Sequence, residues 1–143
     1  MASAQVLDTN VIIRHATGFG VAHGLLSAVV LQELTAGAAD GGMVRHYQRL
    51  RVIAQAEGRL LVPDGEDWWY AGKVLNALLR GVRSSRGHTP AIGRGEQQRL
   101  LRDVLIARTA RRVNAAVVTY NGGDFRKIRR FCAVRVVAPD DVF

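Results

Sequence analysis

Four carboxylates constrain this chain more than any other feature. Asp8, Glu33, Asp103 and Asp124 each lie within, or directly after, a strongly apolar or strand-to-helix segment. An ionised group is costly there unless it is paired, ligates a metal or takes up a proton. A fold that brings all four together needs a cation between them. A fold that keeps them apart needs a separate partner for each, and a buried salt bridge or a helix-surface charge is the plain reading of any one acid taken alone.

With 143 residues the chain reads as one domain with a single sizeable core. A hydrophobic content of 48% with 22% charged residues reads as an ordinary soluble globule rather than a disordered chain. The opening MASAQVLDTNVII has no basic leader before its short apolar run, so it does not read as a signal peptide. No stretch approaches the ~18 uninterrupted apolar residues of a membrane span. Cys132 is the only cysteine, which excludes an internal disulfide and a cysteine cluster for zinc. His15, His23, His46 and His88 have no metal-ligand spacing and read as surface or packing residues. A cytoplasmic protein without membrane contact is the expectation.

The formal net charge is +8, from 20 Lys and Arg against 12 Asp and Glu. Only Lys73 and Lys127 are lysine. A planar guanidinium suits bidentate phosphate contact better than an ammonium does. The excess therefore favours nucleic acid or an acidic protein partner, with a compositional bias toward Arg as the plain alternative.

Apolar periodicity and turn residues predict alternating elements. Strands are expected at Gln5–Leu7, Arg59–Val62, Ala115–Thr119 and Val134–Val137, with a brief apolar run at Leu25–Ala28. Helices are expected at Asn10–His15, Val29–Ala36, Met43–Glu57, Glu66–Val82, Gln97–Val113 and Asp124–Arg130. Ser84–Gly95, rich in Gly, Ser and Pro, reads as a mobile loop. The alternation predicts an α/β domain over residues 1–143, with a mainly parallel sheet flanked by helices. In such a sheet ligands bind beyond the carboxyl ends of the strands. Asp8 follows the first strand directly, and Asn121 and Asp124 follow the Ala115–Thr119 strand. At about 100° per residue, Asp103 shares an arc with Leu100, Ile106, Ala107 and Ala110, and Glu33 shares one with Val29, Val30 and Ala36. Both helical acids therefore face inward.

Four blocks carry a resemblance: Val6-Leu7-Asp8-Thr9-Asn10-Val11-Ile12-Ile13; Ser27-Ala28-Val29-Val30-Leu31-Gln32-Glu33-Leu34 with Gly37; Asp103-Val104-Leu105-Ile106-Ala107 with Ala110; and Val117-Val118-Thr119-Tyr120-Asn121-Gly122-Gly123-Asp124-Phe125. In this order and spacing the chain resembles a PIN-domain ribonuclease, and within that group a VapC-type toxin of a type II toxin–antitoxin module. The segment Gly81–Gly95 fits least well, being longer and richer in Gly and Arg than the family pattern.

The resemblance implies that Asp8, Glu33, Asp103 and Asp124 form a catalytic, metal-binding acidic cluster. It also implies supporting roles for Thr9, Asn10, Thr119 and Asn121. Hard oxygen ligands suit Mg²⁺ or Mn²⁺, and the implied reaction is metal-assisted hydrolysis of an RNA phosphodiester. Implied partners are RNA, a cognate VapB-like antitoxin and a second copy in a homodimer. Arg126, Lys127, Arg129 and Arg130 directly follow Asp124, and Arg108, Arg111 and Arg112 flank the helix of Asp103; these are candidate RNA contacts or a plain solvated face. Trp68-Trp69 reads as a core or dimer-contact pair because indoles bury large apolar area, with base stacking as the alternative.

Two other PIN-like readings stay open: a nuclease of RNA processing or turnover outside any toxin system, and a non-catalytic RNA-binding module. A phosphatase of the haloacid dehalogenase type would need a second Asp two residues after the first. Position 10 is Asn, which counts against it.

Overall fold

The computed structural model describes residues 4–15, 24–86 and 93–142. The strands are β1 (Gln5–Leu7), β2 (Leu26–Ser27), β3 (Leu60–Leu61), β4 (Ala116–Val118) and β5 (Val136–Val137). The helices are α1 (Thr9–Arg14), α2 (Ala28–Ala36), α3 (Gly41–Ala56), α4 (Gly65–Arg86), α5 (Arg94–Arg112) and α6 (Gly122–Ile128), and a 3₁₀ turn covers Pro139–Asp141.

Among the described residues every strand pairing is parallel. β1 pairs with β4 in the register Val6 to Val117, and β4 pairs with β5. β2 pairs with β3. A single bridge from Val6 to Leu25 sets the second sheet beside the first, giving the spatial order β3, β2, β1, β4, β5. The central strands are apolar on both faces: all of β4 is buried, as is Val6. That is the pattern of a parallel sheet covered by helices on both sides. The α/β class expected from the alternation is the class observed.

The helix ends follow from local chemistry. The Ser27 hydroxyl accepts from the backbone N–H of Val29 (3.2 Å) and Val30 (3.3 Å), capping α2. Asp40 accepts from Met43 N–H at 2.9 Å and caps α3. Gly58, at φ +71°, turns the chain from α3 into β3, a left-handed geometry that glycine adopts without steric cost.

α5 is the spine. Leu100, Val104, Leu105, Ile106, Ala107 and Ala110 are buried in the main core together with Val6, Val30, Leu34 and Val117. A fully buried leucine such as Leu105 contributes roughly 1.5–3 kcal/mol of hydrophobic transfer. α4 packs along α5, and one side chain ties them. Asp67 is wholly buried, receives Arg108 Nε at 2.7 Å and is also paired with Arg112. Its second duty is reciprocal: Asp64 N–H donates to Asp67 and Asp67 N–H donates to Asp64, at 3.0 and 2.9 Å, closing the first turn of α4.

Two expectations need correction. Ser84–Gly95 is not all loop: α4 runs to Arg86 and α5 starts at Arg94. Residues 87–92 lie outside the described residues. Once packing has nucleated a helix, each added residue closes one more hydrogen bond at little cost, so weak helix formers are carried along. Nor are Trp68 and Trp69 core residues; they are 53% and 66% exposed. The face of α4 that turns inward is Asp67, Ala71 and Val74, and both indoles fall off it. Among the described residues no helix is long and apolar enough to cross a membrane.

Candidate active site

Parallel strands send their carboxyl ends to one edge of the sheet, and the chain reverses there into α1 after β1 and into α6 after β4. Asp8 occupies the first junction and caps α1. Its Oδ1 accepts from Thr9 N–H at 2.8 Å and its Oδ2 accepts from the Thr119 hydroxyl at 2.7 Å. Asp8 N–H in turn donates to the Val118 carbonyl at 2.9 Å. Asp8 is thus clamped between two strand ends and is only 7% exposed. Thr119 is held as well: its oxygen accepts from Asn121 N–H at 2.9 Å, while Asn10 Oδ1 accepts from Tyr120 N–H at 3.4 Å.

α2 and α5 supply the other two walls, and α6 closes the rim. Asp8, Glu33, Asp103 and Asp124 line one pocket of about 190 Å³ with Thr9, Asn10, Ile13, Arg99, Arg102 and Asn121. Carboxylates separated by up to 116 positions in the chain therefore share one depression.

Electrostatics report the same convergence. Burial raises the pKa of Asp8; the hydrogen bonds from Thr119 and Thr9 oppose this, and Asp124 adds to the rise. Burial also raises Glu33, with Arg102 pulling it down and Asp8 pushing it up. Asp103 is pushed up to about 8, first by burial and then by repulsion from Asp8, Asp124 and Glu33, against a weaker attraction from Arg99. Like charges crowding one desolvated place produce this pattern. Among the described residues, no Lys or Arg stands within ion-pair distance of Asp8, Glu33 or Asp103, whereas Lys127 Nζ lies 3.7 Å from Asp124 and 3.4 Å from Glu96.

Among the described residues, no group of three or more His, Cys, Asp or Glu side chains is closed up as a finished ligand set. The donor chemistry still fits a hard divalent ion. Mg²⁺ keeps several waters and takes one or two carboxylates directly, so a closed protein cage is not required. A further sign is Thr9. Its hydroxyl is buried with no hydrogen-bond partner, although it lies near enough to Glu33 to favour the ionised carboxylate. A polar atom left unsatisfied beside four acids suits a site whose inner surface faces hydrated metal.

The remaining sequence candidates divide by position. Arg126 lies against Gly122 and Gly123 and, with Arg129, lines an adjoining groove of about 1020 Å³ that also holds Arg135 and begins at Thr119 and Tyr120. Lys127 stands at the pocket rim through Asp124. Arg130 is turned over the Phe131 ring, 4.6 Å from its centre. Arg108 is not an exposed nucleic-acid contact. It is committed to Asp67 and covers the Tyr70 ring at 4.3 Å, and Arg112 is likewise held by Asp67, so both serve the α4–α5 joint. Cys132 is buried as a small core residue, and His15 pairs with Tyr120 beside the site. His23 and His88 lie outside the described residues.

Arg99 and Arg102 are pocket residues that the sequence reading passed over. The signal was available: Arg99 is one helical turn before Asp103 and so shares its face. Arg102 lies on the adjacent strip toward Glu33. Both were hidden among the many arginines of this helix.

Comparison with known proteins agrees with this architecture. Three solved structures share the fold: VapBC-1 from nontypeable Haemophilus influenzae (20% identity, TM-score 0.54, covering 94% of this chain and 97% of that one), FitAcB from Neisseria gonorrhoeae (23%, 0.52, 96% and 99%), and FitAB bound to the IR36 DNA fragment (22%, 0.50, 94% of each). No curated protein matches the sequence. The PIN domain model matches residues 6–131, which takes in all four acids and the strands that present them. The chain belongs to the PIN domain family.

Proposed function

We propose that the protein is a divalent-metal-dependent endoribonuclease, using Mg²⁺ or Mn²⁺, and the toxin of a toxin–antitoxin pair. The observation that carries this reading is the single pocket shared by Asp8, Glu33, Asp103 and Asp124, with Asp103 pushed to a pKa of about 8 by its neighbours. Perturbed acids gathered in a cleft mark a reactive site rather than a structural one. That PIN domains are nucleases supports a phosphodiester hydrolase.

The four carboxylates would hold the ion. When bound, such an ion lowers the pKa of a coordinated water and neutralises charge on a phosphodiester. The protein's own groups do the rest. Thr119 and Thr9 fix both oxygens of Asp8, so its orientation does not depend on the ion. Asn121 lines the pocket and makes no side-chain capping bond to α6, so its amide would be available to a ligand. Arg99 and Arg102 line the same pocket, where their guanidinium charge would meet a substrate phosphate. Arg126 and Arg129 continue the cationic surface into the adjoining groove.

The toxin assignment rests on the fold shared with VapBC-1 and FitAcB, which are toxin–antitoxin assemblies. With a net charge of +8, an acidic antitoxin and RNA would compete for the same cationic face. A homodimer is part of the same proposal.

The test is cleavage of total RNA by the purified protein with Mg²⁺, with EDTA, and with Asp8→Asn in place of the parent. Ion-dependent cleavage lost in Asp8→Asn is the expected result. Equal cleavage by Asp8→Asn would refute the roles assigned to the acids.

A further inference from the structure

The exposed indoles of α4 behave differently from each other. Trp69 carries the Lys73 ammonium over its ring at 5.4 Å and lines no cavity among those described. Trp68 instead forms a wall of a groove of about 650 Å³ between α2, the β3–α4 turn and α5. Pro63, Val62 and Leu101 continue the apolar wall, and the amides of Gln32 and Gln98 stand in it. The volume lies within the ~300–1,000 Å³ typical of small-ligand clefts. This groove lies beside the carboxylate pocket. Arg102 lines both, and on each helix the neighbouring residue crosses the divide: Gln32 precedes Glu33, and Gln98 precedes Arg99.

We propose that this groove is a nucleobase subsite, taking one unpaired base of the RNA strand whose phosphodiester is cut at the carboxylates. The proposal rests on the nuclease reading above. A base needs a flat apolar surface for its face and hydrogen-bonding groups for its edge, and Trp68 with Gln32 and Gln98 supplies both. A nucleotide also brings a phosphate, and Arg102 stands where the base groove meets the acidic pocket. Adjacency to the acids through Arg102, and the positive charge there, favour a nucleic acid strand over a protein segment. Bases stacked in a duplex cannot enter, so the subsite selects single-stranded RNA or a loop.

The experiment compares Trp68→Ala, Trp68→Phe and Trp69→Ala in steady-state cleavage of a single-stranded RNA that the parent protein cuts. Binding is read separately in the cleavage-deficient Asp8→Asn, Trp69→Phe protein, where Trp68 is the sole tryptophan and its fluorescence reports the base directly. Loss of one stacked base predicts a KM higher by on the order of ten-fold in Trp68→Ala. The same RNA should quench Trp68 fluorescence saturably. Trp68→Phe should restore most of the KM, and Trp69→Ala should match the parent. An unchanged KM in Trp68→Ala, with cleavage still lost in Asp8→Asn, overturns the subsite and leaves the nuclease standing. A change of oligomeric state by light scattering in Trp68→Ala, with KM unchanged, makes the groove a protein interface and overturns it too. A parent protein that cuts no RNA removes the nuclease reading, and the subsite with it.

Discussion

Asp103 and Asp67 are both carboxylates withdrawn from water, yet their acidities move in opposite directions. Asp103 faces three other acids and is pushed up to about 8. Asp67, wholly buried, would also be raised by its burial, but hydrogen bonds from Arg108 and Arg112 outweigh that and hold it at about 2. One acid is compensated by the protein and closes a joint between α4 and α5. The other faces three more acids at the carboxyl edge of the sheet, with Arg99 as only a weak counterweight. Burial alone therefore does not separate a structural acid from a reactive one; what stands opposite the carboxylate does.

That contrast can be broken in several ways. The largest effect should come from Asp8→Asn, with cleavage falling about a thousand-fold or more in a gel assay while the circular dichroism spectrum stays that of the parent. Asp67→Ala should do the reverse. It leaves Arg108 and Arg112 facing an empty joint, and denaturant unfolding should show a loss of about 3 kcal/mol, with cleavage per folded molecule retained. If Asp67→Ala abolished cleavage in a fully folded protein, the division between the two acids would fail.

pH sharpens the comparison. Asp67 has a folded pKa below its ordinary value of 3.8, so its contribution is present above about pH 4 and is lost as pH falls through about 2. The shift corresponds to about 2 kcal/mol. Acid unfolding of Asp67→Asn should be shallower than that of the parent across this interval. Asp103→Asn should act with the opposite sign, raising metal-free stability at neutral pH by roughly 1 kcal/mol or more, because the folded parent must take up a proton at Asp103 that the unfolded chain does not hold. A lower melting temperature for Asp103→Asn would mean the four acids do not repel one another. Smallest is the effect of Arg126→Ala: RNA affinity should fall modestly, and the slope of its salt dependence should drop by about one. An unchanged slope would place Arg126 outside the nucleic-acid path.

Much of this organisation was legible in the residues. β1, β4 and the helix of Asp103 appeared as short apolar runs and a 3.6-residue period, and the acids stood out because they interrupt apolar faces. The end of the Met43–Glu57 helix was as readable, because Gly58 follows it. What could not be read was how far α4 continues past Val82, since its last turns rest on propagation from a packed helix rather than on their own propensity. Arg108 was misjudged for a related reason. Its partner Asp67 lies 41 positions away, and nothing local distinguishes a guanidinium that will be claimed by a buried acid from one that will face solvent.

The chain alone determined most of the strands and helices and the inward face of the helix that carries Asp103, because periodicity and turn chemistry act over a few neighbouring residues. Only the tertiary structure decided which charges meet. It put Arg99 and Arg102 at the acid pocket, drew Arg108 and Arg112 away to Asp67, and left Trp68 exposed in a groove beside the site. Such outcomes depend on distances between side chains remote in sequence, and electrostatic energies and burial are set by those distances rather than by residue order.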